Sequence, residues 1–351
     1  MNRTRGAVLA AAAAGVAVLA VLNFALIGDS SPHRAAARCG AGDLGCYETR
    51  YAQLVDDAGP ERAMRVFRAD YARDPVVRAR CHSLAHVIGH AAGERYRSVA
   101  EAYRHGDRFC ASGYYHGAME AIVAGPERSR ALARPNGICA SLRRHSTDEG
   151  NCAHGLGHGF MAVRANDVPK SLGLCDRLSA GYERRNCYDG VFMQNVMAQD
   201  DPRHPTRYLD PQRPLRLCSL LPGRYSLSCL KRQVLYALEV TRGDFRTIFA
   251  LCRRVGAGGR PECERQLGEA AADLNISSQP DVTVQAGGTA QICGLAADAA
   301  GRRRCVEGAA GWFVFHYDRT AEAATFCQAV GPLRGECSAA VRRAAAREPL
   351  S

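Results

Sequence analysis

The sequence predicts an all-α fold: an N-terminal transmembrane helix followed by a disulfide-stapled helical-hairpin repeat. Three observations lead there. An apolar run near the N-terminus is long enough to cross a bilayer. Sixteen cysteines follow it and fall into neighbouring pairs. The second members of those pairs recur at a regular interval that suits stacked pairs of helices.

The first element is the apolar run from Gly6 to Gly28. It exceeds the 7–15-residue core of a cleaved signal and reaches the length of a spanning helix. Arg3 and Arg5 precede it and the next arginine is Arg34, so the positive-inside bias puts residues 1–5 in the cytoplasm and the rest outside. No small-x-small cleavage site follows, and Cys39 in "AARC" lacks a lipobox, which favours a retained signal anchor over a cleaved signal peptide. The expected order is a cytoplasmic N-terminus (1–5), a signal anchor (6–28), a linker (29–45), N-terminal helices with a histidine-rich segment (46–109) and the repeat (110–345). The partner this implies is the membrane itself, held through the N-terminal helix.

The cysteines suit an exported chain. They pair in sequence as Cys39/Cys46, Cys81/Cys110, Cys139/Cys152, Cys175/Cys187, Cys218/Cys229, Cys252/Cys263, Cys293/Cys305 and Cys327/Cys337. An even count at regular spacing outside the cytoplasm reads as a disulfide framework, and zinc sites of the CxxC type are absent. The net charge of +11 is spread along the chain as arginine, without a dense basic run. That argues against nucleic acid as a partner and leaves a protein or an anionic envelope polymer as candidates.

The repeat shows in the second cysteines, Cys110, Cys152, Cys187, Cys229, Cys263, Cys305 and Cys337, which follow at steps of 42, 35, 42, 34, 42 and 32. In "DFRTIFALCRRVGAGGRPECERQLGEAA" a helix is expected to end at the first cysteine and another to start at the second, across a polar turn. Closing such a loop contributes roughly 3 kcal/mol, and short helices gain most from it. The long units carry extra residues at 125–137, 200–216 and 275–288. Pro and Gly there suggest loops emerging on one face, often a binding face. The layout, carried by pairs such as "LCRRVGAGGRPECERQLG", resembles the Sel1-like/TPR-like cysteine-rich repeat proteins over about residues 110–340. The resemblance implies a secreted bacterial α-solenoid with a disulfide across each helical pair and a role in protein binding. Whether the solenoid curls toward an α/α toroid stays open.

Aligned on the second cysteine, glycine recurs three places on, at Gly113, Gly155, Gly190 and Gly308, with Gly117 and Gly159 four further. Glycine costs about 1 kcal/mol per helix position relative to alanine, so the stripe implies close helix approach. In "CAHGLGHGFM" the same positions frame His154 and His158, four apart as on one helix face. Of eleven histidines, His82, His86, His90, His116, His154 and His158 fall in the first three cysteine-led helices, with Glu120 one turn after His116. Imidazoles paired at i,i+4 are a common ligand arrangement for zinc, copper or iron. One ion cannot take all of His82, His86 and His90, because the outer two stand about 12 Å apart along the axis. The expected centre is His86, His116, His154 and His158, with His82, His90 and Glu120 beside it. His105, His145, His204 and His316 fall outside the pattern.

HExxH, GxSxG, Walker and dinucleotide motifs are absent. The reading is therefore a membrane-anchored extracytoplasmic metalloprotein, whose activity as an enzyme would use three imidazoles and an open position. The alternative is a non-enzymatic surface repeat protein that binds a protein or envelope polymer, with the histidines only packed in its core.

Overall fold

The computed structural model describes residues 39, 43–144, 146–199, 205–256 and 258–347. The apolar run 6–28 lies outside them, as do His145 and His204. Among the described residues no helix is long and apolar enough to cross a membrane. The chain divides into residues 1–46 and 47–351. In the first unit Cys39 is bonded to Cys46, whose backbone N–H donates to Asp43.

All regular structure among the described residues is helical. The chain runs through α1 (Leu44–Ala58), α2 (Pro60–Arg73), α3 (Pro75–Ala79), α4 (Cys81–Tyr96), α5 (Val99–Arg104), α6 (Gly113–Ala124), α7 (Arg128–Ala133), α8 (Thr147–Val163) and α9 (Val168–Cys175). It continues through α10 (Gly181–Met197), α11 (Arg216–Leu220), α12 (Ser226–Val240), α13 (Phe245–Arg254), α14 (Arg260–Ser278), α15 (Val282–Gly294), α16 (Ala299–Tyr317), α17 (Ala321–Ala329) and α18 (Arg334–Arg347). From α4 onward each even-numbered helix packs against the next even-numbered one, as far as α18. The shorter odd-numbered helices from α5 onward connect them. Within the second unit α3 also packs against α14, so the row bends back toward its own start.

Local chemistry accounts for the two kinds of helix. In α13 the apolar side chains Phe245, Ile248, Phe249 and Cys252 are buried at i, i+3, i+4 and i+7, the stripe of a helix packed on one side. α8 is buried from Glu149 to Met161 without a break, because small residues let neighbours close on it from several directions. Caps set the starts: Ser146, Asp167, Asp244, Asp281 and Asp298 each accept a backbone N–H of the helix that follows. Each such cap contributes about 1 kcal/mol.

Eight disulfides join sequence neighbours, including Cys139–Cys152, Cys175–Cys187, Cys252–Cys263 and Cys327–Cys337. This wealth of disulfides fits a protein that folds in an oxidising, extracytoplasmic compartment. From Cys139 onward they tie the region before each even-numbered helix to that helix. The second cysteine does not begin its helix, contrary to expectation. α8, α10, α12, α14, α16 and α18 start three to six residues earlier, since the cap and first turn come before the staple. Cys81–Cys110 differs in kind: Cys81 begins α4, and Cys110 precedes α6. The chain enters α6 through three successive left-handed residues, Cys110, Ala111 and Ser112, at φ 60°, 54° and 62°. Each such residue costs about 1–2 kcal/mol when it is not glycine.

The presumed inserts are also more helical than their Pro and Gly content suggested. Residues 125–137 contain α7, and 275–288 contain the end of α14 and the start of α15. An Asp281 cap outweighs Pro280 there, because the proline falls before the helix start.

Glycines set the spacing of the row. A Cβ on Gly89 would lie 1.8 Å from Tyr114 O, and one on Gly117 would lie 1.9 Å from His86 O. The same reciprocal contact joins α8 to α10, through Gly157 on Cys187 O (2.3 Å) and Gly190 on His154 O (1.9 Å). It recurs between α14 and α16, through Gly268 and Gly308. α12 carries Arg232 at the equivalent position, three after its cysteine.

Candidate metal centre

The glycine contacts bring the histidine-bearing backbones of α4, α6 and α8 together, and five imidazoles form one continuous cluster. Ring centroids are 5.2 Å apart for His82 and His116, 4.3 Å for His116 and His154, 5.1 Å for His154 and His158, and 5.5 Å for His158 and His86. His116, His154 and His158 are buried, at 4%, 6% and 0% exposure, and each presents a ligand atom within 4.8 Å of the others. His86, Glu120 and His158 form a second group by the same measure. The histidine run of "CAHGLGHGFM" is thus helical despite its glycines, and both its histidines enter the cluster.

Hydrogen bonds fix which nitrogen each ring can give. His82 Nδ1 lies 3.1 Å from the Cys110 carbonyl and His158 Nδ1 lies 2.8 Å from Gln194 Oε1. Those oxygens accept, so Nδ1 carries the proton and Nε2 keeps its lone pair. The Nε2 atoms of His82, His86, His154 and His158, and Nδ1 of His116, are buried without a hydrogen-bond partner. His86 Nε2 is 3.4 Å from Glu120 Oε2, which is ion-pair distance without hydrogen-bond geometry. With Nδ1 engaged, His158 has one nitrogen to offer, so the two groups compete for it.

The rings are held neutral, which is the form that ligates. Burial, followed by neighbouring histidines, lowers His82 to about 4 and His86 to about 3. Burial also drives His116, His154 and His158 well below the ordinary value, with His154, His158 and His86 respectively the next cause. Unfolded imidazoles protonate near pH 6.5. The metal-free fold is therefore fully supported above that pH and loses stability as pH falls from 6.5 toward about 4 for His82 and about 3 for His86. For His86, whose side chain is 12% exposed, the loss at pH 5 is about 2 kcal/mol. The urea midpoint of metal-free protein should drop between pH 7 and pH 5; an unchanged midpoint would show that the rings are not buried together.

His90 stays apart from the cluster. Its side chain is 40% exposed and 3.8 Å from Glu94, one turn further along α4. His105 stacks on Tyr96 and meets Glu61, while His316 lines a separate cavity of about 930 Å³ with Tyr71 and Phe109. A smaller cleft of about 390 Å³ reaches His116 and His154, lined also by Asp189, Lys231, Arg232 and Trp312. It is made largely by the even-numbered helices, not by the presumed insert loops. Gln194 and Arg232 had a usable signal. Gln194 falls one turn after Gly190 in "CYDGVFMQNVM", and Arg232 stands where other units have glycine.

No protein-family model, no curated protein and no solved structure matches the chain.

Proposed function

We propose that this is an extracytoplasmic metalloprotein, anchored by residues 6–28, whose centre holds zinc, copper or iron on His116, His154 and His158. The observation that carries this is three neutral, buried imidazoles from adjacent helices with converging ligand atoms. They adjoin a cleft of small-molecule size. Three imidazoles leave a coordination position open, and the ion would supply Lewis-acid or redox chemistry there. The protein's part is to orient the rings, through Gln194 on His158 and the Cys110 carbonyl on His82. His86 and Glu120 lie on the far side of His158 as a further N and O donor. The disulfide-tied helices serve as a rigid frame, in keeping with the secreted cysteine-rich repeat proteins that the layout resembles.

Adding zinc, copper(II) or iron(II) to metal-free protein should raise its melting temperature with at least one of the three ions. An ion at a hundred times its dissociation constant stabilises by about 2.7 kcal/mol. Calcium and magnesium, which prefer all-oxygen ligands, should have no effect. A protein unmoved by all three transition ions would refute the centre.

A further inference from the structure

The cleft beside His116 and His154 holds an excess of hydrogen-bond donors. Ser112 Oγ, Asn151 Nδ2 and Arg232 Nε are buried without hydrogen-bond partners, and all three residues line this cleft together with Trp312, whose indole N–H is directed to the Asp273 carboxyl. Ser112, Asn151 and Arg232 are only 1%, 9% and 7% exposed. Two of the three atoms are N–H donors that cannot accept, and the hydroxyl can donate. Buried polar atoms are nearly always paired in native proteins, so a convergent set of unpaired donors calls for a ligand rich in acceptors.

Charged groups complete the lining of the cleft. Lys231 Nζ lies 2.9 Å from Asp189 Oδ2, and Arg232 Nη2 lies 3.7 Å from the same oxygen. The cleft sets these two cations against two acids, Asp189 and Glu269, with burial holding Glu269 above its ordinary value. Glu269, the other acid of the cleft, is met by Gln266 when that amide turns its nitrogen toward Lys231 O (2.9 Å) and Glu269 (3.1 Å). A guanidinium presents parallel donors matched to carboxylate and phosphate oxygens.

We propose that the cleft binds a small substrate through a carboxylate or phosphate oxyanion, received by Arg232, Asn151 and Ser112 next to the imidazoles. What the bound molecule is presented to rests on the metal reading; the donors themselves stand without the ion.

Trp312 is the chain's one tryptophan, so its emission reports on this cleft directly. Inorganic phosphate and acetate would be titrated into the full-length protein at constant ionic strength against chloride, once metal-free and once zinc-loaded. At least one probe should change the Trp312 emission saturably in the metal-free protein. Arg232→Gln should weaken that binding about 10-fold or more, the effect of losing a charged hydrogen bond, and Arg232→Lys should weaken it less. If Arg232→Gln does not fold, Asn151→Leu removes a donor from the same set and should also weaken binding. No saturable response to either probe, or unchanged affinity in the folded donor variant, would overturn the proposal. A response in metal-free protein that binds none of zinc, copper and iron would leave it standing and remove the metal reading alone.

Discussion

In His158→Ala the metal-dependent rise in melting temperature disappears, while in His90→Ala it persists: that is the result expected if His158 is central to the site. His158 is fully buried and belongs to both groups of converging ligands, so its loss leaves neither with three donors. Removing even an outer partner of a metal ligand costs 10–100-fold in affinity, and removing the ligand itself should cost at least about 100-fold. With the ion at a hundred times the wild-type dissociation constant, stabilisation would then fall from about 2.7 to about 0.4 kcal/mol. Thermal melts with and without zinc or copper check this. An undiminished rise in His158→Ala would place the ion elsewhere.

The second large effect belongs to a residue that offers no ligand. Gly117→Ala should destabilise the protein by about 2 kcal/mol and impair metal binding as well. Its Cβ would lie 1.9 Å from His86 O and 2.8 Å from His86 C. These are backbone atoms, which cannot turn aside as a flexible side chain can. Overpacking typically costs about 1–3 kcal/mol, occasionally more, against roughly 1 kcal/mol of helix propensity gained. Relief requires α4 and α6 to separate, and they carry His86 and His116. Gly287→Ala is the opposite case: it also lies within a helix, α15, but a Cβ there meets nothing within 4 Å. That variant should gain about 0.5–1 kcal/mol. Denaturant unfolding of the two variants should give opposite signs, and a neutral Gly117→Ala would undo the close-packing account.

These particulars show what could be read from residues alone. Cysteine neighbours, glycine phase and histidine phase are local regularities, and each is written in one stretch of chain. They indicated helices, a glycine stripe suited to close approach, and His116, His154 and His158 on a shared face. The bend of the row was not local. It shows only in the packing of α3 on α14, two helices far apart in the chain. His90 shows the limit of periodicity: it shares the i,i+4 spacing with His86, but its partly exposed side chain meets Glu94 of its own helix and not the cluster. Helix starts were misplaced for a similar reason. Ser146 and Asp298 cap α8 and α16 upstream of Cys152 and Cys305, and α10, α12 and α14 begin before their cysteines with no side-chain cap to mark the start. Gln194, which meets His158, and the donors Ser112 and Asn151 are ordinary polar residues in sequence, and only the assembled fold gives them their places.

The central claim is that the buried imidazoles hold a transition metal. Elemental analysis of full-length protein, purified from an oxidising compartment without chelators, tests it most directly. The account predicts zinc, copper or iron bound stoichiometrically, and lost together with the metal-dependent rise in melting temperature when His158 is replaced by alanine. Protein free of all three metals and unmoved by their salts would contradict it, and the five histidines would then be a packed core.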